Sequence, residues 1–530
     1  MLLLLLLAAS IRLATLGCYP LTDNTEARYA EVSQEMLASG NWITPQLHGQ
    51  KFWSKPPLSI WAAAASMALF GRHEFSARLP SFLFSVVIAA IVFGLARRKG
   101  GDLFACAASM VLLSTASFFV SSGAVMTDAA LVLGTTLSMG SFWLAVQDGE
   151  RSHSLQTYLF FVGLAVGLLA KGPVAVVLTF MPIALWATWK KRWRQTWERL
   201  PWISGLILTA ALALPWYIAA EHRTPGYLRY FIIGEHWNRY LHSGWAGDLY
   251  GSAHNQPRGM IWLFWIAAAF PWSIPACGFL FGRMRFRQSL KRLQNADDWS
   301  AYFLVWALSP MVFFTLAGNI LWTYVLPGLP AFALLFATRI VTPSGSTISC
   351  ADRRPFKGFW IPAGCLVPIG FALLIAAWHF VPYKNSQKYL VGTFRTLRSS
   401  QRSHLVYLFD RPFSAEFYSA STALQASSAE DFSAFFKDSV QDFFAVSKSH
   451  LAQIPPVCVS NLFTVGSFDN FVLFREKSAL SKSSHSVGMP LPEGRYRANW
   501  PLVDGHELRR AGPQSGVARG IDIEGGSDLF

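Results

Sequence analysis

Charge is what this sequence has least of. Charged residues fill 14% of its 530 positions, where a soluble domain carries about a quarter. The six cysteines are scattered without a CxxC pair, which leaves neither a zinc site nor a disulfide framework to build on. Cys106, Cys277 and Cys365 fall inside apolar runs and read as small packing residues. No HExxH, Walker A, GxGxxG or GxSxG pattern stands in a suitable context. Zinc-protease, nucleotide-dependent and serine-hydrolase chemistries therefore lack support. Internal repeats are absent as well.

What is abundant is apolar. Hydrophobic residues make up 52% of the chain, with 42 Phe and 21 Trp, and the mean hydropathy is +0.32. Stretches of 17–23 apolar residues recur, long enough to cross a hydrocarbon core of about 30 Å as helices. Many Trp stand at their ends, as in interfacial belts. The pattern predicts a polytopic helical membrane protein with eleven spans, near 2–17, 79–96, 103–120, 124–146, 155–170, 173–189, 201–219, 259–281, 300–316, 321–340 and 358–380. The opening run "MLLLLLLAASIRLATLGC" lacks a basic leader, so a retained first helix is expected rather than a cleaved signal. Thr15 fits a lipidation site at Cys18 poorly.

The net charge of +15 raises the question of nucleic acid, but most of the excess lies in short loops between apolar runs, which topology explains better. "RRKG" (97–100), "KKRWRQTWER" (190–199), "GRMRFRQSLKRL" (282–293) and "DRRPFK" (352–357) are short and basic. The alternate set, with the long loops 18–78 and 221–258, has mixed charge at lower density. The positive-inside rule puts the first set in the cytoplasm. Asp23, Lys55, Asp128, Lys171, Glu235, His236 and Arg239 then all fall on the opposite, external side. A polar site at one membrane face is the simplest reading.

Residues 1–380 thus read as a transmembrane domain. Beyond it, "HLVYLFD" (404–410), "DFFAVSK" (442–448) and "NFVLFREK" (470–477) look like strands, and "PFSAEFYSA" and "KSHLAQI" like helical turns. That predicts a small external α/β domain over 381–477. The Ser- and Gly-rich remainder, 478–530, reads as a disordered tail.

Each external charge has a structural reading beside the functional one. In "YPLTDNTEARYAEV" (19–32), Asp23 stands three residues before Glu26, the spacing of a helix-capping pair. The helix would run to Ser39, stop at Gly40 and lie flat on the membrane, with Tyr29, Val32 and Met36 on one face and Arg28, Glu31 and Glu35 on another. Lys55 in "KFWSKPPLSIWA" and Lys171 in "LLAKGPVAV" can each simply snorkel. Asp128 in "SSGAVMTDAAL" can be an ordinary cap, or an ionisable group at a membrane boundary that marks a site. Glu235, His236 and Arg239 in "IIGEHWNRYL" suit a phosphate or acidic partner better than a buried core.

"DNTEARYAEVSQEMLASGNWITPQLHGQKFWSKPPLSIW", followed by "ALFGRHEFSARLPSF", "MTDAAL" and "AKGP", resembles the polyprenyl-phosphate-sugar glycosyltransferases of the GT-C class. Within it, the aminoarabinose lipid A transferase and protein O-mannosyltransferase-like group is the match, over roughly residues 10–340. The resemblance implies a helical inner-membrane protein that moves a sugar from a polyprenyl (undecaprenyl) phosphate to an acceptor on the periplasmic side, such as lipid A. It implies Arg28, Lys55 and Lys171 as cations for the donor phosphate and Asp128 as one acidic position; Glu235, His236 and Arg239 are substrate-binding candidates on their charge clustering alone. Relatives often read Asp-Glu-x-Arg-Tyr where this chain has Thr25-Glu26-Ala27-Arg28-Tyr29. The first-loop catalytic carboxylate is then Asp23, the favoured reading, or Glu26. No cofactor and no metal ligand are implied, with room left for a divalent cation. Protein O-mannosyltransferase-like activity is the alternative within the class. A lipid-linked sugar flippase is the alternative outside it, though a transporter usually sets its charges near the midplane with repeat symmetry.

Overall fold

The computed structural model describes residues 2–23, 25–147, 154–250, 254–281, 296–341, 360–378, 385–437 and 440–477. The expected tail and the basic loops 282–293 and 352–357 lie outside these residues. Two compact units emerge, one of Met1–Lys388 with Pro412–Ser421, the other of Tyr389–Arg411 and the chain from Thr422.

The first unit is helical. Its chain order is α1 (Leu2–Thr15), α2 (Glu26–Ser39), a two-residue hairpin of β1 (Gln46–Leu47) and β2 (Gln50–Lys51), α3 (Leu58–Phe70), α4 (Glu74–Leu113), α5 (Ala116–Ser121), α6 (Asp128–Gln147), α7 (Ser154–Lys171), α8 (Val174–Trp189), α9 (Trp193–Arg199) and α10 (Trp202–Arg223). A π-helix over Arg229–Asn238 follows, then α11 (Met260–Ala268), α12 (Ser273–Phe281), α13 (Asp298–Phe314), α14 (Leu329–Ile340) and α15 (Trp360–Trp378). Four segments are long and apolar enough to cross a membrane: Glu74–Leu113, Asp128–Gln147, Trp202–Arg223 and Trp322–Ile340. Shorter apolar helices include α1, α3, α8 and most of α7 and α15.

Three details differ from the sequence reading. The loop expected at 97–100 is reduced to a break inside α4, where Gly101 leaves helical geometry at φ 78°, ψ −175°. The long loop 18–78 holds an apolar helix, α3, whose Leu69 and Phe70 are exposed. The apolar run 259–281 is two short helices with an interruption at 269–272.

Aromatic side chains dominate the main core. Trp143 stacks on Tyr302 at 5.0 Å between ring centroids, and Trp186 and Phe142 meet the same tyrosine edge-on and stacked. Two of the polar tips are satisfied: Tyr302 Oη donates to the Met139 carbonyl at 2.7 Å and Trp306 Nε1 to the Pro327 carbonyl at 2.9 Å. Such pairing is what lets Tyr and Trp be buried. Helices α6 and α7 approach through Gly134 and Gly163, where an added Cβ would fall within 2.5–2.7 Å of the facing backbone or of Ser138. Small residues at the seam are the usual route to close packing in lipid, where no hydrophobic force pushes helices together.

The second unit is a five-stranded sheet in the order β4-β3-β5-β7-β6. It is formed by β3 (Leu405–Leu408), β4 (Leu424–Ala426), β5 (Phe443–Ser447), β6 (Leu462–Phe468) and β7 (Phe471–Glu476). Strands β4, β3 and β5 run parallel, while β7 is antiparallel to β5 and β6. Phe432, Phe436 and Phe444 pack together on it. The helix over Phe413–Ser419, here α16, belongs with the helical unit instead.

Candidate active site at the helix mouths

The charge-dense stretch after α1 folds differently from a capping box. Helix α2 starts at Glu26 after Thr25, and no side chain caps it. Asp23 turns away from the helix: its carboxylate accepts from the Ser414 N–H at 2.7 Å and the Ser414 hydroxyl at 2.6 Å. A charged acceptor gains more from α16's free first-turn donors than from a neutral cap. The far end follows the sequence, with Gly40 in the left-handed region donating to the Met36 carbonyl. The helix does not lie on a surface either. Glu31, expected on the outer face, is fully buried and accepts from Gln34 (2.9 Å) and Ser421 (2.7 Å), because α2 packs between α3 and α16.

Glu26 is held in a closed pair. Arg78 Nε and Nη2 donate to its two oxygens at 2.7 and 2.8 Å, and the remaining guanidinium donors reach the carbonyls of Leu16, Tyr19 and Pro20. All five Arg78 N–H groups have acceptors, the most a guanidinium can make, and the side chain has no exposure. Arg78 had only its place in "FSARLPSF" to mark it in the sequence; an arginine inside an apolar run is the signal that was there to be used.

The other charges converge in two linked groups. Lys55 Nζ lies 3.1 Å from Glu235 Oε2, Arg239 Nη1 lies 3.2 Å from the same oxygen and 3.0 Å from Asp248 Oδ2, and Tyr230 donates to Glu235 Oε1 at 3.2 Å. Asp248 also accepts from the Tyr250 N–H, and the Tyr250 carbonyl accepts from Arg28. Arg28 and Lys55 thus sit at the ends of one hydrogen-bonded chain. In the second group Lys171 donates to Asp128 Oδ1 at 2.7 Å and lies 4.7 Å over the Tyr324 ring. His236 joins the groups, its ring nitrogens 2.8 Å from the Phe231 carbonyl and 3.1 Å from that of Lys171.

Local backbone chemistry makes this convergence. Gly172 in "AKGP" takes φ 80°, ending α7 directly after Lys171, and a Cβ there would strike Phe231 at 2.6 Å. The π-helix over Arg229–Asn238 presents Glu235, His236 and Arg239. Such wide turns are rare and cluster at functional sites, and nothing in the sequence marks one. Asp248, Tyr230, Tyr250 and Tyr324 were likewise not singled out.

Glu235 and His236 respond differently to their surroundings. Burial works to raise the Glu235 carboxyl, but Lys55 and Arg239 outweigh it and hold it below the usual value. Burial pushes His236 down. A neutral imidazole then donates to only one of its two carbonyls. The decisive feature is spare capacity. The Nε atoms of Arg28 and Arg239 are buried without a hydrogen-bond partner among the described residues, and Lys171 has one acceptor among them, Asp128 Oδ1, for three donors. Arg239 and Lys171 each stand beside a carboxylate as well, and cations with unfilled donors are what a phosphate-bearing ligand needs.

A carboxylate triad stands apart from them. Glu31, Glu35 and Glu416 bring ligand oxygens within 4.8 Å of one another. Glu31 is bonded as above, Glu35 accepts from the N–H groups of His48 and Gly49, and Glu416 lies 2.6 Å from His48 Nε2. These partners account for the cluster without a metal ion.

Similarity to known proteins bears on the fold. Residues 2–231 match the family model described as dolichyl-phosphate-mannose-protein mannosyltransferase. The fold superposes on ArnT from Cupriavidus metallidurans bound to undecaprenyl phosphate with a TM-score of 0.72 at 18% identity, covering 90% of this chain and 98% of that one. The chain is a membrane protein of the GT-C fold. The undecaprenyl phosphate-alpha-4-amino-4-deoxy-L-arabinose arabinosyl transferase of Pseudomonas savastanoi pv. phaseolicola is 32% identical over 340 residues, 64% of this chain and 61% of the relative. Its counterpart in Erwinia tasmaniensis is 29% identical over 377 residues, 69% of this chain and 64% of the relative. This GT-C chain thus spans under two thirds of the length of either curated relative. The resemblance read from its motifs holds.

Proposed function

We propose that the protein transfers a sugar from undecaprenyl phosphate to an acceptor at the periplasmic face of the inner membrane, with lipid A as the acceptor and 4-amino-4-deoxy-L-arabinose as the sugar. The observation that carries the reading is the set of cations with unfilled donors, Arg28, Arg239 and Lys171, arranged around Lys55, Glu235 and Asp128. The activity for which the relatives are named supplies the substrate classes.

The chemistry follows from those side chains. The bond between the anomeric carbon and the phosphate oxygen breaks, and its electron pair passes to the phosphate. Arg28, Lys55 and Lys171 stabilise that growing charge, which a preorganised site does without reorganisation. The acceptor oxygen forms the new bond to the anomeric carbon. If it arrives as a hydroxyl, its proton passes to a carboxylate; if it is an ionised lipid phosphate, the carboxylate only orients and stabilises. Asp128 takes this role in preference to Asp23 or Glu26. Glu26 is closed on Arg78 and Asp23 is bonded to Ser414, whereas Asp128 shares a side chain, Lys171, with the phosphate site.

The test is transfer of labelled sugar in membrane vesicles. Label appearing on lipid A through a new glycosidic bond is the expected result. Label that crosses the membrane without changing its linkage would make the protein a flippase. Label on protein would favour the mannosyltransferase-like alternative.

A further inference from the structure

Arg12 is a buried charge that the proposed reaction leaves unused. It lies in the last turn of α1 and is 1% exposed. Nη2 donates to the Val120 carbonyl at 2.8 Å and lies 3.2 Å from Tyr19 Oη. Nε and Nη1 have no partner among the described residues, and no carboxylate there pairs with it. Phe119 and Phe371 face the guanidinium at 5.7 and 4.8 Å, which offsets only part of the lost hydration. Room for the group is built in: a Cβ on Gly123 would come within 2.3 Å of its Cζ.

The same arginine lines a groove of about 170 Å³ between α1 and α4. Leu5, Ala8 and Ala9 of α1 and Phe82, Val86 and Ala89 of α4 form its walls. From Arg12 back to Leu5 the groove follows α1 for about 10 Å at 1.5 Å per residue. Small residues open it and exposed leucines flank it. The only other polar wall residues, Ser85 and Ser122, donate their hydroxyls to carbonyls at 2.8 and 2.7 Å. An arginine is always charged, and an unpaired charge in a spanning helix calls for an anion. An anion at the head of an apolar channel is a lipid.

We propose that this groove binds one anionic glycerophospholipid, its phosphate on Arg12 and an acyl chain between α1 and α4. The site is separate from the cations assigned to the donor and does not depend on the proposed transfer reaction.

Native mass spectrometry of the purified full-length protein tests the assignment, with phosphatidylglycerol as the probe. The wild-type protein should retain one phosphatidylglycerol. Arg12→Gln should lower the bound fraction about tenfold. Ala9→Phe, which fills the groove and keeps the charge, should do the same, and it stands in if Arg12→Gln fails to fold. Phosphatidylcholine should bind at least tenfold more weakly, and inorganic phosphate should not displace the bound lipid. Equal retention by wild type and Ala9→Phe would overturn the proposal. So would equal binding of phosphatidylcholine, displacement by inorganic phosphate, or displacement by undecaprenyl phosphate, which would assign the groove to the carrier.

Discussion

Arg78 and Arg239 are two buried arginines, each beside a glutamate, and they are built for opposite purposes. Arg78 grips Glu26 with two parallel bonds and fills its other donors with three backbone carbonyls. Arg239 meets Glu235 and Asp248 through a single nitrogen and leaves Nε without a partner. A saturated pair has nothing left to offer a ligand and fixes the chain between α1 and α2. An unsaturated one keeps donor capacity for a ligand, which is the role proposed for it. The distinction lies in the geometry of the donors, since both are Arg–Glu pairs in composition.

The largest expected effect breaks the closed pair. Arg78→Met strands a buried carboxylate and three carbonyls, so stability should fall by about 3–5 kcal/mol. Thermal unfolding and membrane yield would register it, whatever the assay of transfer shows. A folded, active variant would mean that Glu26 and Arg78 are not a structural clamp.

Next comes the second unsaturated pair, Lys171 with Asp128. Asp128→Asn should reduce transfer by about 10²-fold or more, the loss expected when acid–base or electrostatic assistance is removed, with yield close to wild type. Loss of folding comparable to Arg78→Met would place Asp128 with the closed pair.

Asp23→Asn is expected to be milder. Asn keeps an oxygen for Ser414 but loses the charge-assisted bonds, so about 1–2 kcal/mol of stability should go, with transfer within about threefold of wild type. Full stability with activity reduced 10²-fold would restore Asp23 as the catalytic carboxylate in place of Asp128.

The smallest effect is a pH dependence. His236 has a folded value below its ordinary 6.5 because of burial. The unfolded chain therefore binds more protons near that pH, and the stability contributed by the neutral imidazole is present above about 6.5 and lost as pH falls. Glu235, also depressed, adds a second loss below its ordinary 4.5. His236→Gln should flatten the dependence of Tm between pH 7 and 5.5 while leaving the step below pH 4.5. An unchanged slope would show that His236 is protonated in the folded state and donates to both carbonyls.

Much of this was legible beforehand, and what was missed has a common cause. The spans followed from runs of apolar residues, because a bilayer demands length and hydropathy before anything else. Gly40 and Gly172 marked real breaks because positive φ leaves glycine the favoured residue. Lys55, Asp128, Lys171, Glu235 and Arg239 could be singled out because a charge is conspicuous against an apolar background, and the structure brings them into two linked groups. Asp23 was misjudged because a capping motif is local and its true partner, Ser414, is 391 residues away. Strands β4 and β6 escaped because "LQA" and "LFTVGSF" carry no stronger alternation than the loops around them.

The sequence by itself determined that the chain lies in a membrane, which charged residues stand out against its apolar runs, and where glycine breaks a helix. These follow from properties each residue has alone: hydropathy, charge and backbone freedom. The tertiary structure decided which carboxylate answers which cation. That depends on distances between segments tens to hundreds of residues apart, and on whether a buried donor finds an acceptor when the helices close. Glu26 went to Arg78, Asp23 to Ser414 and Asp128 to Lys171. Only the last of these leaves donors free for a phosphate.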